Sequence, residues 1–180
     1  MTIRVLLANL SLAAFFVSSP AAAEDVWHIK CLAPHGETLA VKAFETAGTT
    51  FDIKALKAES DDLLDIKALN HLSDETLHVK VLPNTTGDEF SDVKAITPDN
   101  EPMPIKAITG NGNTLHVKAF FDEAAGRYDI KCLGNDGTRL GLKAISPSGR
   151  VYDVKGLVEH EGAEDLEIEI EAHIKAIPQS

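Results

Sequence analysis

The chain is poor in cysteine, in aromatic residues and in basic charge. With only Cys31 and Cys132 in 180 residues, it is neither a cysteine-rich zinc module nor a disulfide-dense mini-protein. Lys and Arg total 17 against 28 Asp and Glu, a formal charge of −11. The basic footprint that would neutralise nucleic-acid phosphates is therefore missing, and no nucleic-acid partner is expected. Beyond the N-terminus no apolar run is long enough to cross a bilayer as a helix. Catalytic signatures are missing as well: there is no Gly-rich phosphate loop, no His-Glu-x-x-His, no Gly-x-Ser-x-Gly and no Cys-x-x-Cys. Serines are few, and none stands where a His or Asp would activate it. The expectation is a non-enzyme without metal or cofactor.

The first 23 residues have the build of an export signal. Arg4 precedes the apolar run Val5–Val17, Ser18-Ser19-Pro20 breaks any helix, and Ala21-Ala22-Ala23 supplies the small residues a signal peptidase reads. Cleavage after Ala23 is expected, giving a secreted or periplasmic protein with no membrane insertion afterwards. Loss of Arg4 takes the charge from −11 to −12. Residues 24–180 are then one domain, with 44% hydrophobic residues in the whole chain to build its core.

That domain is one short motif repeated. Blocks such as Asp52-Ile53-Lys54-Ala55-Leu56, His116-Val117-Lys118-Ala119-Phe120 and His173-Ile174-Lys175-Ala176-Ile177 recur along its length. Their central lysines are Lys30, Lys42, Lys54, Lys67, Lys80, Lys94, Lys106, Lys118, Lys131, Lys143, Lys155 and Lys175, spaced by 12 to 14 residues with one final gap of 20. Of 13 lysines only Lys57 is out of register.

Residue types around each lysine follow position. A β-branched residue or Leu precedes it, a small residue follows it, and a large apolar residue stands mostly three before. These positions alternate, so they share one face of an extended strand, and the period excludes helix. The other face carries the lysine, an Asp or His two before it, and an apolar residue two after it.

Turn sequences lie between the blocks: Pro34-His35-Gly36, Asn135-Asp136-Gly137, Pro147-Ser148-Gly149. Each fits a type I turn closed by a left-handed residue, which makes a hairpin. A three-residue loop at Pro147–Gly149 pairs Ser146 with Arg150 and sets Lys143 opposite Asp153. The same counting from Asn135–Gly137 sets Asp129 opposite Lys143. Spacings of 13 or 14 are expected to keep this pairing, with the extra residues in the loop. The fold class expected is all-β, about twelve short antiparallel strands in an up-and-down meander closing as a flattened barrel or sandwich. Closure would place His28 opposite Lys175 and His173 opposite Lys30. A parallel solenoid is the alternative, but it would stack like charges in one column.

Both cysteines occupy the small core-facing position, in the first and ninth strands. A Cys31–Cys132 disulfide follows if those two strands face one another, with the fifth and eleventh strands, carrying Val81 and Gly156, as corners. Two buried thiols are the alternative.

Function is the least legible part. The lysine face, represented by Lys54, Lys67, Lys94, Lys118, Lys131, Lys143 and Lys155, is either a surface for anionic polysaccharide or another polyanion, or a face neutralised by its own Asp and His residues. The reading adopted is an exported non-catalytic structural or binding module, its partner an extracellular or cell-envelope glycan or protein. His28 and His173 are the one histidine pair that closure could bring together for a metal, and their separation by Lys30 and Lys175 argues against it. Protonation of histidines beside lysines would weaken the face below about pH 6.5. Residues 158–172 form an acidic insertion in which Leu166, Ile168 and Ile170 alternate with glutamates, an expected extension of the last strand with an acidic edge that resists aggregation. Asn84-Thr85-Thr86 is a glycosylation sequon, relevant only in a eukaryotic secretory pathway.

Overall fold

The computed structural model describes residues 26–57, 62–158 and 168–179. The signal segment and most of the acidic insertion lie outside the described residues. Within them the chain forms twelve strands: β1 (Val26–Leu32), β2 (Thr38–Phe44), β3 (Thr50–Lys57), β4 (Leu64–Asn70), β5 (Glu75–Leu82), β6 (Ser91–Ile96), β7 (Pro102–Ile108), β8 (Thr114–Asp122), β9 (Arg127–Leu133), β10 (Arg139–Ile145), β11 (Val151–Leu157) and β12 (Ala172–Pro178). All pairings are antiparallel, consecutive strands pair throughout, and the sheet closes on itself. The expected fold class is therefore correct, and the parallel solenoid is not formed.

The alternation seen in the sequence is the alternation of burial. Ile53, Ile66, Val79 and Ile105 before the lysines are buried, and the residues after them (Ala43, Ala55, Ala68, Ala95) are fully enclosed. Trp27, Leu39, Phe51 and Leu77, three before, complete the same core. Small residues are required because each strand's +1 side chain lies beside a neighbour's β-branched −1 side chain: Ile29 pairs with Ala144, Val41 with Ala107, Ile53 with Ala68, Val154 with Ala176. Large against small is how a thin shell fills its interior to native density.

Turns follow the expected chemistry. Ser146 N donates to Arg150 O at 2.9 Å and Gly134 N to Thr138 O at 2.8 Å. Gly149 and Gly137 close those turns at φ 88° and 82°, values that glycine adopts without penalty.

Each strand pairs with three others, and the pairings have a definite order. In the first set, the C-terminal half of β1 pairs with the N-terminal half of β2, β2 likewise with β3, and β3 with β1. Three further cyclic sets repeat this: β6–β7–β8, β9–β10–β11 and β4–β5–β12. Six pairs through the strand centres then join every set to every other: β1–β10, β2–β7, β3–β4, β5–β6, β8–β9 and β11–β12. Four corners joined by six edges have the connectivity of a tetrahedron.

This closure corrects four expectations. First, β12 does not border β1: His28 lies opposite Lys54, and His173 opposite Lys80. Second, Asp129 lies opposite Lys155, not Lys143, because β9 returns to β11 to complete its corner. Third, longer spacings change the register. Wherever the spacing is 12, the lysine faces the −2 residue of the next strand, as Lys143 faces Asp153. At three of the four connections of 13 or 14, the lysines oppose each other: Lys54 and Lys67, Lys80 and Lys94, Lys118 and Lys131. Only β4–β5 absorbs its extra residue in the loop, with Lys67 opposite His78. Short connections turn corners, and longer ones double back along edges.

The fourth correction concerns the insertion. Ile168–Glu171 are not part of the last strand, which begins at Ala172. Ala172 pairs with Val81 near the end of β5, and Glu171 N donates to Val81 O at 2.9 Å. β5 itself ends one residue further on, at Leu82.

The Cys31–Cys132 disulfide forms, with Cα atoms 6.4 Å apart. Its geometric reason differs from the expected one. β1 and β9 do not oppose each other across two layers but flank the same strand, β10, where Cys31 pairs with Leu142 and Cys132 with Leu140.

Candidate functional site

Each corner carries a ring in which three lysines alternate with the three −2 residues, because a cyclic half-strand register places every lysine opposite the −2 position of its neighbour. In the β1–β2–β3 ring, Lys42 Nζ donates to Asp52 Oδ1 at 2.7 Å and Lys54 Nζ lies 3.6 Å from Asp52 Oδ2. Lys54 also donates to His28 Nδ1 at 2.9 Å. In the β6–β7–β8 ring, Asp92 pairs with Lys118 and, at 3.4 Å, with Lys94. In the β9–β10–β11 ring, Asp129 pairs with Lys155 at 2.5 Å and Lys131 at 3.5 Å, and Asp153 pairs with Lys143. In the β4–β5–β12 ring, Lys175 pairs with Asp65 at 2.5 Å, Lys67 donates to His78 Nδ1 at 2.9 Å and Lys80 to His173 Nδ1 at 2.7 Å. This last ring surrounds a pocket of about 150 Å³, and Lys80 is buried there.

Asp52, Asp92 and Asp129 thus each bridge two cations, while Asp65 pairs with Lys175 and Asp153 with Lys143. Partial burial raises the pKa of Asp52, but the Lys42 hydrogen bond and the charges of Lys42 and Lys54 outweigh it and hold the carboxyl below its usual 3.8. Asp65, Asp92, Asp129 and Asp153 are lowered against the same opposing burial, by Lys175, Lys118, Lys155 and Lys143 respectively. His28 and His116 go below 6.5, chiefly by burial and then by the flanking lysines. Both shifts favour the neutral imidazole, and His28 accepts a hydrogen bond from Lys54.

The lysines named from sequence do not converge. Lys54, Lys67, Lys94, Lys118, Lys131, Lys143 and Lys155 are spread over all four rings, and each is held by an Asp or His. His28 and His173 belong to different rings and make no pair for a metal. Among the described residues, no group of three or more His, Cys, Asp or Glu could hold a metal ion, and no helix is long and apolar enough to cross a membrane.

What the reading of residues missed is the exceptions in the −2 column. Nine strands carry Asp or His there, but β2, β7 and β10 carry Ala40, Pro104 and Gly141. Lys30 faces Ala40, Lys94 faces Pro104 and Lys131 faces Gly141. Lys30 and Lys106 take part in no ion pair among the described residues. The signal was present in the alignment of the repeats, but it has meaning only once the non-consecutive pairings are known.

No curated protein and no solved structure matches the chain. Residues 23–177 match the model of a family described as "Family of unknown function (DUF7486)", and the chain belongs to that family.

Proposed function

We propose that the protein is exported, with cleavage after Ala23, and acts outside the cytoplasm as a non-catalytic structural or binding module. The observation that carries this reading is the construction of the shell. A disulfide-linked body without a preferred axis presents four similar lysine rings outward. Such a body offers repeated, evenly spread polar surfaces rather than the single asymmetric cleft that catalysis uses. A disulfide also suits an oxidising compartment.

Lys30 and Lys106 favour a second reading, recognition of anionic polysaccharide or another polyanion through the lysine face. Two cations without a carboxylate partner are available to an external anion at little desolvation cost, because both are only partly buried. Two measurements test the proposal. N-terminal mass analysis of the exported protein should find Glu24 first, and an uncleaved N-terminus would remove the export reading. Retention on immobilised anionic polysaccharide at physiological salt, compared with a neutral glycan, should favour the anionic matrix. Equal elution from both would leave only the structural role.

A further inference from the structure

The three acid-free positions lie on one path. Gly141 is bordered by Lys131 across the strand pair and by Lys143 two residues along β10. Lys143 opposes Lys30, and Lys30 opposes Ala40 on its other side. Two residues from Ala40, Lys42 opposes Lys106, and Lys106 stands two residues from Pro104, which Lys94 faces. The path therefore runs through Lys131, Lys143, Lys30, Lys42, Lys106 and Lys94, over three corners and two edges. Where other strands would interrupt it with a carboxylate or an imidazole, it meets Gly141, Ala40 and Pro104.

We infer that this path is the binding track for an extended, sparsely charged anionic polysaccharide, each acid-free position receiving one carboxylate or sulfate of the polymer. The inference rests on the polyanion reading of the lysine face. Its physical basis is the role of aspartate elsewhere. Asp52, Asp92 and Asp129 each bridge two lysines of a ring. At Gly141 the corresponding lysines, Lys131 and Lys143, are in place and the bridging carboxylate of that strand is not. A ligand carboxylate completes the same arrangement from outside.

The spacing selects the ligand. With strands about 4.8 Å apart and a rise of about 3.4 Å per residue, the Gly141 and Ala40 positions are roughly 12 Å apart, and Ala40 and Pro104 roughly 14 Å. Separations of that size suit a polymer charged once in every few sugar residues. Duplex DNA carries a charge about every 1.7 Å, and it would be repelled by Asp52, Asp92, Asp129 and Asp153, which border the track, and by the net charge of −11. Leu32, Phe44, Ile108 and Ile145 beside the lysines are half-exposed and offer apolar surface to sugar rings.

The test compares two variants of equal net charge. Ala40→Asp with Gly141→Asp fills two positions of the track. Lys57→Gln with Lys175→Gln removes two cations from β3 and β12, off the track and without touching the ion pairs of its lysines. The filled variant should fold, because Asp is the repeat's own residue at that position and a Cβ on Gly141 makes only an ordinary 3.8 Å contact with Lys143 Cε. Binding to hyaluronan, which carries one carboxylate per disaccharide, and to densely sulfated heparin is then measured by calorimetry on the disulfide-intact protein. Filling the track should weaken binding about tenfold or more, and the off-track pair less than about threefold, as expected for local rather than global electrostatics. Equal losses would overturn the track while leaving the polyanion reading intact, and a wild-type protein that binds neither polymer would overturn both. Duplex DNA bound as tightly as polysaccharide would overturn the ligand assignment.

Discussion

Val81 occupies the space that Gly156 leaves. A Cβ on Gly156 would lie 3.2 Å from Val81 Cγ2 and 2.9 Å from Tyr128 Cβ. The two are the only +1 residues that are neither Ala nor Cys, and they are complementary: the large exception in β5 meets the absent side chain of β11. Gly156→Ala should therefore destabilise the protein by about 1–3 kcal/mol, the usual cost of overpacking. Adding Val81→Ala should recover part of that loss, since one of the two close contacts is relieved. Urea denaturation of the single and double variants checks this, and a double variant no more stable than Gly156→Ala would break the link between the two positions.

The disulfide predicts a large effect of reduction. Cys31 and Cys132 are 101 residues apart, a loop for which the chain-entropy model gives about 4.7 kcal/mol. A thiol reagent should titrate two groups in the denatured protein only after reduction. Cys31→Ala with Cys132→Ala should lower the denaturation midpoint without changing the circular dichroism of the strands. Two reactive thiols in the unreduced, denatured chain would contradict the bond.

Acid should destabilise the shell in two stages. His28 and His116 titrate below 6.5 in the folded state, so the unfolded chain holds more protons as pH drops from that value. Their contribution is present above pH 6.5 and lost below it. Asp52, Asp65, Asp92, Asp129 and Asp153 are lowered from 3.8, and their contribution, present above that pH, is lost as pH falls through the folded values. Melting temperature measured from pH 8 to pH 2 should decline first below about 6.5 and again below about 4. His28→Gln with His116→Gln should flatten the first stage and leave the second.

Individual ring aspartates should matter modestly and unequally. Asp52→Asn weakens pairs with both Lys42 and Lys54, whereas Asp153→Asn weakens one with Lys143. The expected losses are about 1 kcal/mol for Asp52 and less for Asp153, as for partly exposed ion pairs. High salt should shrink the difference, and a difference that salt leaves unchanged would point to packing instead.

Local features were readable in the residues because local physics produces them. Alternation around Lys54 or Lys118 assigned the buried face, and Pro147-Ser148-Gly149 specified its own turn. The register at Lys143–Asp153 followed by counting through that turn. None of this extends to Lys30 opposite Lys143 or Lys42 opposite Lys106, since no turn joins those strands. The same limit hid the track: Ala40, Pro104 and Gly141 look like ordinary departures from a repeat until β2 is laid against β7 and β1 against β10. Cys31 and Cys132 were paired by position within the repeat, but the shared neighbour β10 that brings them together could not be counted along the chain.

The pairing of each strand with three others also has a consequence in time. β1 must wait for β10, β2 for β7, and β4 for β12, so a chain made from its N-terminus holds unmatched strands until the end. The β1–β3 and β6–β8 corners can be joined to all three others before Ala172–Pro178 arrives, but the β4–β5 corner and its edge to β11 stay open until then. Long-range contacts of this kind slow folding. The shell should therefore close late, with the last seven-residue strand as its keystone.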